Sequence, residues 1–204
     1  LFLKGDLMGE NGKVLEDVEL EIKNINTNEI TTVKVESGTY VSSLTLAKND
    51  DVLITVKKEG FAFNSTYISA NDTSFSSPNN LNIALESLEE GKSFSLSDIY
   101  FETNSFQINP MAKNILFEFS VYLEVNINMV IEINGFTDDV GEDDVNQLLS
   151  ENRAIAVYDL LISNGIEAGR ILFNGYGELF PVAGNTTEKG RAINRRTEFR
   201  IIRQ

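Results

Sequence analysis

The stretch MVIEINGFTDDVGEDDVNQLLSENRAIAVYDLLISNG, residues 129–165, decides the fold of the second half of the chain. Met129, Ile131 and Ile133 alternate with Val130, Glu132 and Asn134, which is the period of a strand with one buried face. The period then lengthens. A helix is predicted over about 143–163, with Val145, Leu148, Leu149, Ala156 and Leu160 as its apolar stripe and Asn164-Gly165 as its stop. Strand, acidic turn, long helix is the unit around which the rest is arranged.

Upstream, a strand is predicted over 97–102. A helix follows, with Asn109 as its cap and Pro110 in its first turn. Met111, Ile115, Phe119, Tyr122 and Leu123 recur on one of its faces. Downstream, a strand from Arg170 to about Tyr176 leads into a polar loop with Pro181, Gly184 and Gly190, then a last strand from Arg195 to Ile202. The order βαβαββ predicts a two-layer α+β domain with helices on one face of a sheet.

Residues 1–86 follow a different period. Val18-Glu19-Leu20-Glu21-Ile22-Lys23 alternates strictly, and similar short runs surround 2–7, 30–35, 40–46, 52–56, 66–68 and 81–85. Turn clusters at 9–12, 26–28, 37–38, 49–51, Gly60 and 78–80 separate them. About seven short strands without a helix predict an all-β sandwich. The polar run 86–92 marks a boundary, giving a sandwich at 1–88, a linker at 89–93 and an α+β domain at 94–204.

The 204-residue chain has no Cys and no His. Disulfides, thiolate nucleophiles, Ser-His-Asp triads and nearly all zinc or copper sites are excluded. Asp138, Asp139, Glu142, Asp143 and Asp144 lack the spacing of an EF-hand loop, and acidic residues entering a helix complement its dipole. No catalytic residue, metal or cofactor is therefore expected. An enzyme here would have to be a carboxylate-dependent hydrolase, and the sandwich alone could serve as a structural or adhesion scaffold. A net charge of −14 argues against nucleic acid as a partner. No apolar run approaches the roughly 18 residues of a membrane span. The chain opens at Leu1-Phe2-Leu3 without a visible signal peptide, as a segment of a longer protein would.

All seven Arg lie at or after Arg153, five of them between 191 and 203. Forked guanidiniums gathered in one region suit carboxylates, and equally a solvated terminal strand. Arg153 falls on or beside the helix stripe, two turns from Asn146, and a guanidinium there needs an acceptor. Asp138 is the nearest acidic candidate. The two could form a structural pair, or grip a zwitterion with its carboxylate on Arg153 and its ammonium on Asp138.

Gly135-Phe136-Thr137-Asp138-Asp139, Asn146, Leu149-Ser150-Glu151-Asn152-Arg153-Ala154, Gly175-Tyr176-Gly177-Glu178 and Asn194-Arg195-Arg196 resemble, in order and spacing, the OmpA-like peptidoglycan-binding domain. Ile99 to Ser105 is similar to that family's first strand. The resemblance implies non-catalytic binding of the peptidoglycan stem peptide through its meso-diaminopimelate residue. It assigns Asp138 to the ammonium, Arg153 to the carboxylate, Asn104 and Asn146 to hydrogen bonds, and the Thr137-Asp138 turn to backbone contacts. Arg196 is placed near the pocket, with Arg195 as its neighbour. Phe136 stands where the family commonly has His.

A looser resemblance links Gly12 to Ile22, Gly38-Thr39-Tyr40 and Lys57 to Phe61 to the carboxypeptidase-regulatory-like sandwich. The pairing of the two resembles multidomain outer-membrane proteins of Bacteroidetes-type bacteria. It implies a place on the periplasmic face of the outer membrane, anchoring to the cell wall, and possible contacts with other cell-envelope proteins.

Overall fold

The computed structural model describes residues 2–204 apart from 36, 48, 70–78 and 103. The turn expected at Pro78 lies outside the described residues. The chain divides into two compact units, Leu1–Leu88 and Glu89–Gln204.

The first unit carries β1 (Phe2–Met8), β2 (Val18–Asn24), β3 (Ile30–Val35), β4 (Thr39–Ser43), β5 (Val52–Lys57), β6 (Asn64–Ile68), β7 (Asn79–Asn80) and β8 (Ile83–Ala84). One sheet has the order β3-β2-β5-β6 and is antiparallel throughout. In the other, β1 pairs antiparallel with β4 and parallel with β7 and β8. Leu3, Leu7 and Tyr40 from the second sheet share one core with Leu20, Ile22, Ile54 and Val56 from the first. Two sheets over a common apolar layer make a β-sandwich.

Tyr40 sits opposite Gly5 across the β1–β4 pair and donates a hydrogen bond to the Leu81 carbonyl at 2.7 Å. Burial pushes its hydroxyl up to about 12. The neutral form is thus favoured in the fold, and its contribution to stability is full below pH 10 and is lost as pH rises through about 12. Tyr40→Phe should cost about 1–2 kcal/mol at neutral pH by orphaning the Leu81 carbonyl. It should also flatten part of the alkaline loss of stability, as urea denaturation at pH 8 and pH 11 would show.

The second unit contains β9 (Ser93–Ser95), α1 (Pro110–Val125), β10 (Val130–Gly135), α2 (Asp143–Ser163), β11 (Ile171–Gly175), α3 (Glu188–Asn194) and β12 (Thr197–Arg203). The sheet order is β11-β10-β12-β9, with β10 parallel to β11 and antiparallel to β12. Ile131, Ile133, Phe199 and Ile201 are fully buried, and Phe119 of α1 packs on Phe199 at 4.9 Å between ring centroids. The helices thus cover the sheet face carrying these odd-numbered residues.

Asn109 caps α1 as expected, its Oδ1 accepting from the Ala112 amide at 2.8 Å, with Pro110 in the first turn. Three expectations need correction. The first strand lies at Ser93–Ser95, not 97–102. A left-handed Asp98 turns the chain, and the carbonyls of Tyr100, Glu102 and Ser105 are taken by side chains of Asn109 and Arg153 instead of a ladder. The loop before the last strand contains α3, so the order is βαβαβαβ. Finally, α2 is rotated from its expected face. Val145 and Leu148 are exposed, while Asn146, Ser150, Arg153, Ala154, Val157 and Leu161 are buried.

The segment 89–93, expected as a linker, hydrogen-bonds to β12: the Gly91 amide donates to the Ile201 carbonyl, and the Ile201 amide to that of Lys92.

The close approach of α2 to the sheet depends on glycine. A Cβ on Gly135 would lie 2.2 Å from the Ser150 carbonyl oxygen, and one on Gly175 2.3 Å from the Glu151 nitrogen. Backbone stands on the far side of both contacts, so nothing soft can yield. Gly135→Ala should destabilise this unit by about 2–3 kcal/mol through overpacking, read as a lower melting temperature.

Candidate ligand-binding site

β10 ends at Gly135, and the turn after it carries Thr137 and Asp138 against the polar start of α2. The Thr137 amide donates to the Gly177 carbonyl at 2.7 Å, while Ser150 Oγ accepts from the Gly177 amide and donates to Gln147. Asn146 is buried and donates through Nδ2 to Glu178 at 2.9 Å and to the Asp138 carbonyl at 3.4 Å. Asp138, Asn146, Ser150 and Glu178 are thereby gathered at one end of the sheet. Among the described residues, Thr137 Oγ1 is buried and has no hydrogen-bond partner.

Arg153 is 4% exposed. Its acceptor is not Asp138, the acidic partner the sequence suggested. Nε donates to the Ser105 carbonyl at 3.0 Å and Nη2 to the Glu102 carbonyl at 3.2 Å. The guanidinium carbon lies 5.1 Å from the centre of the Phe101 ring. Neutral carbonyls satisfy donors without cancelling charge. Burial, and next the positive charge of Arg195, hold the Arg153 guanidinium below its usual range, with Asp138 opposing.

Asp138 is paired instead with Arg195, Nη1 to Oδ2 at 2.6 Å, while its Oδ1 accepts from the Val140 amide. Arg195 also reaches Glu188 of α3 at 2.7 Å. Hydrogen bonds to Asp138 and then Glu188 raise its pKa. Arg153, Arg195 and Asp138 therefore act on one another within one polar cluster, two guanidiniums against one buried carboxylate.

Arg196 and Phe136 belong elsewhere. Arg196 bonds Glu198 at 2.6 Å and the Phe180 carbonyl at 3.1 Å. Its guanidinium carbon lies 3.7 Å from the centre of the Phe136 ring, which also stacks on Tyr176 at 5.4 Å. Phe136 follows Glu132 and Asn134 in parity, away from the helix-covered face. It fills an aromatic row with Tyr176 and the Arg196 guanidinium. Asn104 is exposed, with φ +56°, on the segment whose carbonyls Arg153 holds.

Arg195 ends α3 and precedes β12, where the sequence predicted the start of the last strand, so strand alternation gave no sign of its pairing with Asp138.

With this geometry in hand, the relatives can be set beside it. The OmpA family pattern matches residues 100–195 of this chain. Outer membrane porin F of Pseudomonas aeruginosa is 54% identical over 70 residues, covering 34% of this chain and 20% of that protein. The peptidoglycan-binding protein ArfA of Mycobacterium bovis is 42% identical over 69 residues, covering 34% of this chain and 21% of that protein. The crystal structure of the peptidoglycan-associated lipoprotein from Burkholderia pseudomallei is 28% identical, covers 50% of this chain and 87% of that chain, and superposes with a TM-score of 0.48. The chain spans about a fifth to a half of the length of the first curated relatives it matches. Among the described residues, no helix is long and apolar enough to cross a membrane.

Proposed function

We propose that the second unit binds peptidoglycan without catalysis, gripping the zwitterionic end of meso-diaminopimelate in the stem peptide. The observation that carries this reading is the state of buried Arg153: among the described residues its hydrogen bonds go to neutral carbonyls, while Asp138 and Glu188 are taken by Arg195 and Glu178 by Asn146. Such a cluster gains most from a ligand that brings a carboxylate to the guanidiniums and an ammonium to Asp138. Asn146 and the Thr137 hydroxyl supply neutral hydrogen bonds, and Asn104 lies on the adjoining segment. Relatives named for peptidoglycan binding and for the outer membrane support the same reading.

Within it, the chain works at the periplasmic face of the outer membrane as part of a wall anchor. The sandwich unit serves as a spacer of the carboxypeptidase-regulatory-like kind, open to contact with other envelope proteins. The test is co-sedimentation of the full chain with purified walls. The chain should pellet with diaminopimelate walls and leave them undegraded. Walls cross-linked through Lys, which lack the second carboxylate, should retain far less. Equal retention on both would refute the assignment of Arg153.

A further inference from the structure

We propose that Phe180 is an aromatic platform for a pyranose ring of the same polymer, an inference that rests on the peptidoglycan reading of the charged site. Phe180 has φ +60°, a region that bulky side chains avoid. Its ring is 66% exposed and meets only the Tyr176 ring, edge-on at 5.7 Å, among the ring contacts of the described residues. Core packing therefore does not explain the strained backbone.

What retains the strain is a set of hydrogen bonds around Phe180, of which those upstream are shared with the binding site. The Phe180 carbonyl accepts from Arg196, which Glu198 and the Phe136 ring hold in place. Ahead of Phe180, the Gly177 carbonyl accepts from Thr137 and Glu178 accepts from Asn146. Behind it, Oδ1 of buried Asn194 accepts from the Val182 and Ala183 amides at 2.9 and 3.0 Å. A loop tied to the site at its upstream end and to Asn194 of α3 at its downstream end thus presents an exposed aromatic residue on a fixed backbone. Strain kept by its surroundings beside a ligand site marks a functional position. Leu179 and Val182, neighbours of Phe180 in the chain, are also exposed.

The occupant follows from the ligand's own chemistry. A stem peptide hangs from a glycan whose rings are charge-poor and carry C–H groups on their faces. Those partly positive hydrogens match the negative face of an aromatic ring. The glycan is thus the part of the polymer that an aromatic ring suits.

Isothermal titration of the full chain separates the two readings. The probes are a diaminopimelate stem peptide and the same peptide on its N-acetylglucosamine–N-acetylmuramic acid disaccharide. The wild type should bind the disaccharide form about 3- to 10-fold more tightly, the scale of one aromatic contact. Phe180→Gly, which tolerates the positive φ, should erase that advantage, leave the affinity for the bare peptide unchanged and not lower the melting temperature. Phe180→Trp should retain the advantage. Equal wild-type affinity for both probes, or an equal loss on both in Phe180→Gly, would overturn the platform and leave the charged site standing. Binding of the disaccharide form alone would support the platform while refuting the zwitterion grip. Binding of neither probe would refute both.

Discussion

Asp138→Ala is expected to abolish co-sedimentation with diaminopimelate walls while leaving the fold essentially intact. The ligand ammonium would lose its carboxylate inside a desolvated cluster, a loss of roughly 2–5 kcal/mol, or about 30- to several-thousand-fold in affinity. The stability effect should be small by comparison. Arg195 is a third exposed and keeps Glu188 when Asp138 is removed, and partly solvated pairs contribute roughly 0–1 kcal/mol. Titration of the stem peptide alongside a melting curve distinguishes these effects. Retained binding in a folded Asp138→Ala protein would contradict the grip.

Arg153→Ala is expected to fail on both counts. It removes the group proposed for the ligand carboxylate and also orphans the Glu102 and Ser105 carbonyls that fix the segment before α1. That second loss should cost about 2–4 kcal/mol and lower the melting temperature by roughly 5–15 °C. The guanidinium is an internal strut as well as a candidate ligand contact. Arg153→Lys separates the roles: a point charge remains, but no planar fork can span both carbonyls.

Much of the second unit was legible because local rules and global fold agree there. Asn109-Pro110 starts α1, and the alternation of Met129, Ile131 and Ile133 defines β10. The errors fall where specific hydrogen bonds outweigh hydropathy. The buried face of α2 begins with Asn146, Ser150 and Arg153, each with its own polar partners, so an apolar stripe pointed the wrong way. The helix α3 escaped notice because it is seven residues long with Gly190 inside it. That glycine is a packing requirement, since a Cβ there would lie 1.9 Å from the Gly184 carbonyl oxygen.

At the candidate site the residue types were legible, and their pairing was not. An Asp and an Arg three and eighteen residues past Gly135 cannot reveal from spacing alone that a second Arg, far along the chain, takes the carboxylate. That second Arg, Arg195, stands at the end of α3, and its reach to Asp138 follows only from the fold that sets α3 and β12 beside β10. In the sandwich unit, strand alternation and turn residues define two sheets and one core.

The most direct measurement is the affinity of the full chain for two stem peptides that differ only in the third residue, meso-diaminopimelate or L-Lys, by isothermal titration. A grip by Arg153 on the second carboxylate predicts binding of the diaminopimelate peptide and at least about 30-fold weaker binding of the Lys peptide. Equal affinities would contradict it.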